Sequence, residues 1–303
     1  PSRPDPPPDP RPAPPPVPRQ LDLGFFQRLF TPKAERDFVA GCKAHVTGDD
    51  QAAREAFARA ADDHADAAFL AGFLALNADL ADDAVRHLER ALARQRTLGR
   101  LFDKYGLSVE LALPVTDLVV AHVRPGRRGA LLGLVEAYQA RGRLADARAT
   151  LEKLHRDDPD DVLVRVSLAE LLLDGHGGGP RGRDTARSAP PDDDDTPLDR
   201  RTARRLVELA GQVENASSTH AVLMLYKGRA LRALGLATAA RDVLTAALRR
   251  RKNRDPEVLR AVRKERARVY EDLGRKARAR GEWERVFADD PSDPEAAARL
   301  GVT

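Results

Sequence analysis

GRRGALLGLVEAYQARGRLADARATLEKLHRDDPD, residues 126–160, decides the fold of this chain. Apolar side chains recur at helical spacing on both sides of Gly142, which interrupts the pattern, and Pro159 ends it. The stretch therefore predicts two short amphipathic helices joined by a tight turn. A hairpin this small cannot bury its own apolar face, so it has to stack on further copies of itself.

Copies of this pattern recur along the chain. Each copy combines small residues, a turn residue, an alanine and a large apolar or aromatic residue, and the first two copies lie 31 residues apart. The five sets are Gly41, Gly48, Ala53, Phe57 and Ala60; Gly72, Asp79, Ala84, Leu88 and Ala91; Tyr138, Gly142, Ala147, Leu151 and Pro159; Gly228, Gly235, Ala240, Leu244 and Ala247; and Tyr270, Gly274, Ala279, Trp283 and Pro291. Small residues at such positions allow neighbouring helices to cross closely.

This pattern resembles the tetratricopeptide repeat, a helical hairpin with small and aromatic positions in fixed order and a closing proline. The likeness extends over residues 34–300, although the number of residues between successive copies varies along the chain. It implies an all-α fold, a right-handed α-solenoid of helical hairpins over residues 33–303. In that family a peptide or a partner protein binds in the concave groove, without catalysis.

The composition agrees with thin helical layers, because aromatic residues make up only 5% of the chain. The net charge of +4 is small beside 51 basic and 47 acidic residues, which indicates a solvated surface rather than a polycation. A single cysteine excludes an internal disulfide and favours a reducing compartment, the cytoplasm. No apolar run approaches the length that spans a bilayer. The chain begins at Pro1 rather than at methionine, so we expect a segment upstream of it.

The first 32 residues differ from the repeats. Residues 1–19 are rich in proline and lack apolar periodicity, which predicts an extended arm. A spacer to an upstream segment is the favoured role, and docking of the PxxP spacing on an aromatic-lined partner groove is the alternative. Residues 20–32 have a strongly apolar helical face, which we interpret as a cap on the first repeat. Membrane association through residues 21–30 is the minority alternative, because this stretch carries one arginine.

Two later stretches interrupt the helical pattern. Residues 107–124 are rich in β-branched residues and alternate in hydropathy, which predicts an extended insertion, a two-stranded ribbon. Residues 175–197 are rich in Gly, Pro and Asp, which predicts a mobile loop. Helical character resumes over 198–214, and residues 294–301 are predicted to form a terminal capping helix.

No enzyme, cofactor or metal site is predicted. The Gly-rich run at 175–182 follows no strand and lacks the Gly-Lys-Ser/Thr ending of a phosphate loop. Cys42 and His45 share one helix face, but no third residue orients the imidazole, so a small core cysteine is the favoured interpretation. The histidines are scattered, and the adjacent carboxylates of Asp192–Asp195 lack the turn glycine and interleaved carbonyls of a calcium loop.

The resemblance implies that five positions of each first helix line the groove. They are Glu35, Phe38, Cys42, His45 and Val46 in the first repeat; Asp66, Phe69, Phe73, Leu76 and Asn77 in the second; and, in the last two, Val222, Leu225, Arg229, Arg232 and Ala233, then Ala261, Lys264, Arg268, Glu271 and Asp272. The groove is thus expected to be apolar at one end and basic at the other. The predicted partner-binding residues are Phe38, Phe69, Phe73, Arg229, Arg232, Lys264 and Arg268.

An acidic protein or peptide suits the basic end, because guanidinium groups hold carboxylates through paired hydrogen bonds. Two competing interpretations stand beside this one: core packing for the three phenylalanines, and an ordinary charged helix face paired with nearby Glu for the four cations. A further hypothesis is that Asp192–Asp195 of the acidic loop compete for the same cations.

The sequence therefore predicts a non-catalytic adaptor or scaffold protein. Its arginine- and alanine-rich composition resembles tetratricopeptide proteins of high-GC bacteria, and we expect a bacterial, cytoplasmic protein. The alternative is a nucleic-acid-associated helical repeat protein that uses the basic region 249–268. Against it, aromatic residues for base stacking are missing beside the cluster, and three carboxylates, Asp255, Glu257 and Glu265, dilute its charge.

Overall fold

The computed structural model describes Leu21, residues 30–174 and residues 198–302. The proline-rich arm 1–19, most of the apolar segment 20–32 and the predicted loop 175–197 lie outside the described residues.

The described chain is all-α apart from one small sheet, as predicted. Most helices form hairpins: α1 (Lys33–Val46) with α2 (Asp50–Ala60), α3 (Ala65–Asn77) with α4 (Ala81–Ala93), α6 (Arg127–Ala140) with α7 (Leu144–Asp157), α8 (Val162–Asp174) with α9 (Arg200–Ala210), α10 (Ser218–Ala233) with α11 (Ala237–Ala247), and α12 (Pro256–Asp272) with α13 (Lys276–Asp289). Among the described residues, two further helices stand outside the hairpins, α5 (Arg100–Lys104) and α14 (Pro294–Leu300), and a 3-10 turn occupies Gln95–Thr97. The predicted capping helix over 294–301 is thus present.

In the five hairpins whose turns the structure describes, the turn has one conformation. The second residue after the first helix has positive φ at Gly48 (82°), Asp79 (57°), Gly142 (69°), Gly235 (78°) and Gly274 (67°). The next N–H then donates back five residues, as from Leu80 to the carbonyl of Ala75 and from Arg143 to that of Tyr138. This arrangement satisfies the last carbonyls of the first helix, and glycine is preferred because it adopts positive φ without strain.

Inside the hairpins, a small residue on the first helix faces a large one on the second. A Cβ added at Gly72 would lie 2.6 Å from Leu88 Cγ, and one at Gly228 would lie 2.7 Å from Leu244 Cδ2. The equivalent Cβ at Gly41 would lie 2.7 Å from the Phe57 ring. The pattern that identified the repeats is therefore the pattern of close helix crossing.

The chain divides into two compact units, which we describe separately. Unit 1 contains the described residues up to Glu110 together with 124–133, and unit 2 contains 111–123 and 134–302. In unit 1 the first two hairpins pack on each other, and Phe57 and Leu88 are fully buried in its core.

Unit 2 contains the second half of α6, the helices α7 to α14 and the predicted ribbon, whereas α5 belongs to unit 1. The ribbon consists of β1 (Leu111–Thr116) and β2 (Val119–Val123), which pair antiparallel with a register shift between Pro114 and Thr116. Its inward side chains, Leu113 and Val115 among them, are buried, as the alternation predicted. The ribbon packs against α8 and α10.

Candidate functional site

The four predicted cations of the last repeats meet in unit 2, and we call them the basic cluster. Arg229 and Arg232 lie on α10, and Lys264 and Arg268 lie on α12. Within each helix the two residues are three or four positions apart and share one face. Because α10 and α12 pack directly on each other, both faces contribute to one surface.

A buried carboxylate lies at the centre of the basic cluster. The side chain of Glu265 is 1% exposed, and its oxygens lie 2.7 Å from Arg232 Nε, 3.4 Å from Arg268 Nη1 and 3.9 Å from Arg229 Nε. Burying a carboxylate is costly unless cations or hydrogen-bond donors replace water around it. Three guanidinium groups therefore share one carboxylate.

Two members of the basic cluster also hold the last helix. Lys264 Nζ lies 3.0 Å from Asp293 and 3.3 Å from Glu295. Arg268 binds Glu295 in a bidentate manner, with Nε and Nη2 at 2.7 and 2.6 Å from the two oxygens. Asp293 caps α14 and Glu295 lies in its first turn. These ion pairs therefore tie α14 to α12.

Exposure divides the basic cluster into two pairs. The side chains of Lys264 and Arg268 are 13% and 18% exposed, whereas those of Arg229 and Arg232 are 39% and 35% exposed. Arg229 also lies over the ring of Tyr226, 5.9 Å from its centroid. Arg229 and Arg232 are therefore the two members that an incoming group reaches.

The three phenylalanines lie in the core of unit 1 and not on an open groove wall. All of Phe38, Phe69 and Phe73 are buried. The ring of Phe38 packs on those of Phe57 and Phe102, with centroids 5.8 and 5.9 Å apart, and Phe69 packs on Phe73 at 4.7 Å. The physical reason is that later residues, Phe102 among them, cover the first helices.

Residues 99–105, which include α5, were not recognised in the sequence. Asp66 on α3 is buried and accepts hydrogen bonds from the N–H groups of Gly99 (2.5 Å) and Leu101 (2.6 Å). These N–H groups lie at the start of α5, where they have no partner within the helix. Burial raises the pKa of Asp66, and the N–H donors offset only part of the increase.

Glu35 on α1 holds the other end of the same segment. Its buried carboxylate accepts a hydrogen bond from the Tyr105 hydroxyl at 2.5 Å and another from the Lys104 ammonium. Burial acts to raise the pKa of Glu35, but these two donors outweigh it and lower the pKa. Burial and the bond to Glu35 together raise the pKa of Tyr105. Glu35 and Asp66 are two of the positions predicted to line the groove.

The basic region 249–268 does not form one continuous charged surface. Residues 249–252 are exposed. Arg263 and Arg266 are buried beside Glu282, at 3.7 and 2.9 Å, and burial lowers the pKa of Arg263. The charges that face solvent are therefore concentrated in the turn at 249–252, which weakens the case for phosphate binding.

The geometry around Cys42 does not suit a nucleophile. Burial raises the pKa of the Cys42 thiol to about 12, and nearby Asp66 adds to the rise, so the thiolate is scarce at neutral pH. His45 Nδ1 lies 2.7 Å from Asp50, so a third residue does orient the imidazole, contrary to the expectation from the sequence, but the thiol beside it is buried. In the part of the chain that the structure describes, no three His, Cys, Asp or Glu side chains are grouped to hold a metal ion. Over residues 30–174 and 198–302 no helix has the length and hydropathy to cross a membrane.

Comparison with known proteins gives a consistent picture of the fold. A family model described as tetratricopeptide repeat matches residues 120–174, and no curated protein matches the chain. Among solved structures, the N-terminal domain of the EccA1 ATPase from the ESX-1 secretion system of Mycobacterium tuberculosis is similar, with a TM-score of 0.55 and 17% identity over 88% of each chain. This likeness shows the fold, and with the family match it confirms the resemblance to tetratricopeptide repeats.

Two further structures align less closely. The APC/C heterotetramer Cut9–Hcn1 gives a TM-score of 0.45 at 17% identity over 89% of this chain and 42% of that one. A thermophilic tetratricopeptide-repeat protein from Thermus thermophilus gives 0.24 at 17% identity, over 88% of this chain and 97% of that one.

Proposed function

We propose that this tetratricopeptide-repeat protein is a non-catalytic adaptor that binds an acidic segment of a partner protein at Arg229 and Arg232. The fold implies a protein–protein interaction scaffold. Fold alone does not name a ligand, so the proposal for the partner rests on the basic cluster.

The observation that carries the proposal is that Arg229, on the exposed side of the cluster, has only a distant carboxylate partner in Glu265. Glu265 is shared by three guanidinium groups, and Arg229 has the longest of its ion pairs, at 3.9 Å. A carboxylate arriving from solvent would give Arg229 a direct pair, and it would add to the pairs that Arg232 makes with Glu265 at 2.7 Å and with Asp272 at 3.8 Å. The planar guanidinium group favours such bidentate contacts, and partial burial reduces their screening by salt.

The location within the repeat supports the same proposal. Both arginines occupy first-helix positions that, by the resemblance, line the ligand groove of tetratricopeptide repeats. Arg229 also lies over the ring of Tyr226, which is buried and supports the guanidinium group from below. An acidic segment therefore suits this surface.

The test compares two charge reversals in unit 2. Arg229→Glu changes the proposed site, whereas Arg280→Glu changes an exposed arginine on α13 that pairs locally, with Glu284 at 3.0 Å. The probe is a fluorescent peptide of alternating Glu and Leu, measured by anisotropy at physiological salt. We expect Arg229→Glu to weaken binding about tenfold or more, since a charged hydrogen-bonded pair contributes about 1.5–3 kcal/mol, and Arg280→Glu to leave it nearly unchanged.

Equal effects of the two reversals, or equal binding of a matched Lys–Leu peptide, would reject the proposed site. Lys264 and Arg268 make poor probes, because replacing them also releases α14. The nucleic-acid alternative predicts a different result: binding of single-stranded DNA that ignores sequence, weakens steeply with salt and is lost when residues 249–252 are neutralised.

A further inference from the structure

We propose that residues 99–105 are an internal ligand of unit 1. They occupy a surface on α1 and α3, defined by Glu35, Phe38 and Asp66, that also accepts an external helical segment with the same chemistry. That chemistry is a short helix with a large apolar residue and an aromatic residue near its start, followed by Lys and Tyr. The proposal concerns unit 1 and deepens the proposed adaptor function without depending on the basic cluster.

Both ends of the contact are polar, which is unusual for permanent core packing. Asp66 and Glu35 are buried carboxylates, and the hydrogen-bond partners described above for them come from residues 99–105. In a permanent core, apolar residues of similar size would stabilise as well or better. When the segment leaves, both carboxylates regain water, so the polar half of the contact costs little to open.

The apolar half of the contact consists of three side chains on one side of the segment. Leu101, Phe102 and Tyr105 are buried, whereas Asp103 and Lys104 between them are exposed. The rings of Phe102 and Tyr105 lie 5.9 and 6.3 Å from that of Phe38, centroid to centroid. This is the geometry of an amphipathic segment laid on a surface.

Glycines with positive φ bound the segment on both sides. Gly99 has φ 107° and Gly106 has φ 59°. A Cβ at Gly99 would have no atom within 4 Å, so the space beside its Cα is open. Glycine has wide conformational freedom, and two such positions allow residues 100–105 to swing away while the flanking chain stays in place.

Charge determines which external segments would compete. The surface presents two carboxylates, so a competitor needs a cation and backbone or side-chain donors at matching places, as Lys104 and Tyr105 supply. An acidic peptide would be repelled there. Unit 1 is therefore expected to select a basic-aromatic helix, the opposite of the ligand proposed for the basic cluster.

The experiment uses the full chain and the peptide TLGRLFDKYGL, which copies residues 97–107. In an emptied variant, residues 100–105 are replaced by alternating Gly and Ser of equal length. We expect fluorescence anisotropy to show that the peptide binds the emptied variant about tenfold or more tightly than the unmodified chain, because a tethered segment competes at an effective concentration in the millimolar range. Asp66→Asn in the emptied variant is expected to weaken the binding again.

A folded emptied variant that does not bind the peptide, or an unmodified chain that binds it equally well, would overturn the proposal. If the emptied variant does not fold, native-state hydrogen exchange of the unmodified chain decides. Amides of 99–105 that open at lower free energy than those of α1 and α3 support an internal ligand, and amides that open only with global unfolding refute it. The Glu–Leu peptide should bind the emptied variant normally, so failure here leaves the basic cluster untouched.

Discussion

Replacing Gly228 by alanine tests the close helix crossing on which the repeats depend. Gly228 lies in α10, and an added Cβ would lie 2.7, 2.8 and 3.2 Å from Cδ2, Cγ and Cδ1 of Leu244 on α11. Ordinary van der Waals contact begins at about 3.4 Å, so all three atoms overlap with the new methyl group. Rotation about the Cβ–Cγ bond of Leu244 leaves Cγ in place, and a change of χ1 is restricted because the side chain is fully buried.

The size of the effect follows from two opposing contributions. Alanine is favoured over glycine within a helix by about 1 kcal/mol. Inserting a methyl group into a packed contact costs about 1–3 kcal/mol. Gly281→Ala, on α13 of the same unit, provides the control, because a Cβ there has no atom within 4 Å. It should be stabilised by about 0.5–1 kcal/mol.

The assay is urea unfolding followed by fluorescence of Trp283, the single tryptophan, which is buried in unit 2. We expect the free energy of unfolding of Gly228→Ala to lie about 1–3 kcal/mol below that of Gly281→Ala, the propensity gain being common to both. If Gly228→Ala proved as stable as Gly281→Ala, the argument from close crossing would be wrong.

Three other predictions concern the turns, the cysteine and the last helix. Asp79→Gly should raise the free energy of unfolding by a few tenths to about 1 kcal/mol, because Asp79 has φ 57° where the other described hairpin turns have glycine. Gly142→Ala should lower the free energy of unfolding by about 1 kcal/mol, because alanine is strained at positive φ. Denaturation curves that gave the opposite signs would contradict this account of the turns. Cys42 has a pKa of about 12 in the fold against an ordinary value of 9.0, so it should react with a thiol reagent at pH 8 far more slowly than in the unfolded chain. The stabilisation that comes from keeping this thiol protonated should be lost as the pH rises from 9 to 12. Equal labelling rates in the folded and unfolded chain would contradict the burial of Cys42. Ala296→Asp places a charge in the buried cluster with Trp283 and Val286, so the tryptophan emission should shift to longer wavelength, and an unchanged spectrum would argue against the docking of α14.

The helical hairpins are predictable because their signals are local. Gly72 and Leu88 are 16 residues apart in one hairpin, and the turn between their helices requires positive φ, so the pattern and the contact coincide. The ribbon was predictable for the same reason, since alternation in residues 111–116 reports which side is buried. Both features depend on neighbours in sequence.

The segment that covers α1 and α3, residues 99–105, was not predictable in the same way. Glu35 and Asp66 hold residues 99–105 across long sequence separations, and a five-residue helix is too short to leave a periodic signal. The available signal was two carboxylates 31 residues apart at one repeat position. The groove positions of the tetratricopeptide repeat assigned Phe38, Phe69 and Phe73 to a groove wall, because these positions describe a groove that no internal segment fills.

For the basic cluster, the sequence predicted the location of the cations but not their ion-pair partners. Helical spacing was enough to place four cations on shared faces, but their partners Glu265, Asp293 and Glu295 depend on side-chain geometry that spacing does not specify. Only the structure separates Arg229 and Arg232, which are partly exposed, from the two cations that hold α14.

The central claim is that the partner's carboxylate binds at Arg229 and Arg232. The most direct measurement is an NMR titration of the full chain with the Glu–Leu peptide, following the arginine Nε–Hε signals. The account predicts saturable shifts at Arg229 and Arg232 and none at Arg280, whose partner Glu284 lies on its own helix. Shifts confined to residues 249–252, or no shift at any arginine up to millimolar peptide, would contradict it.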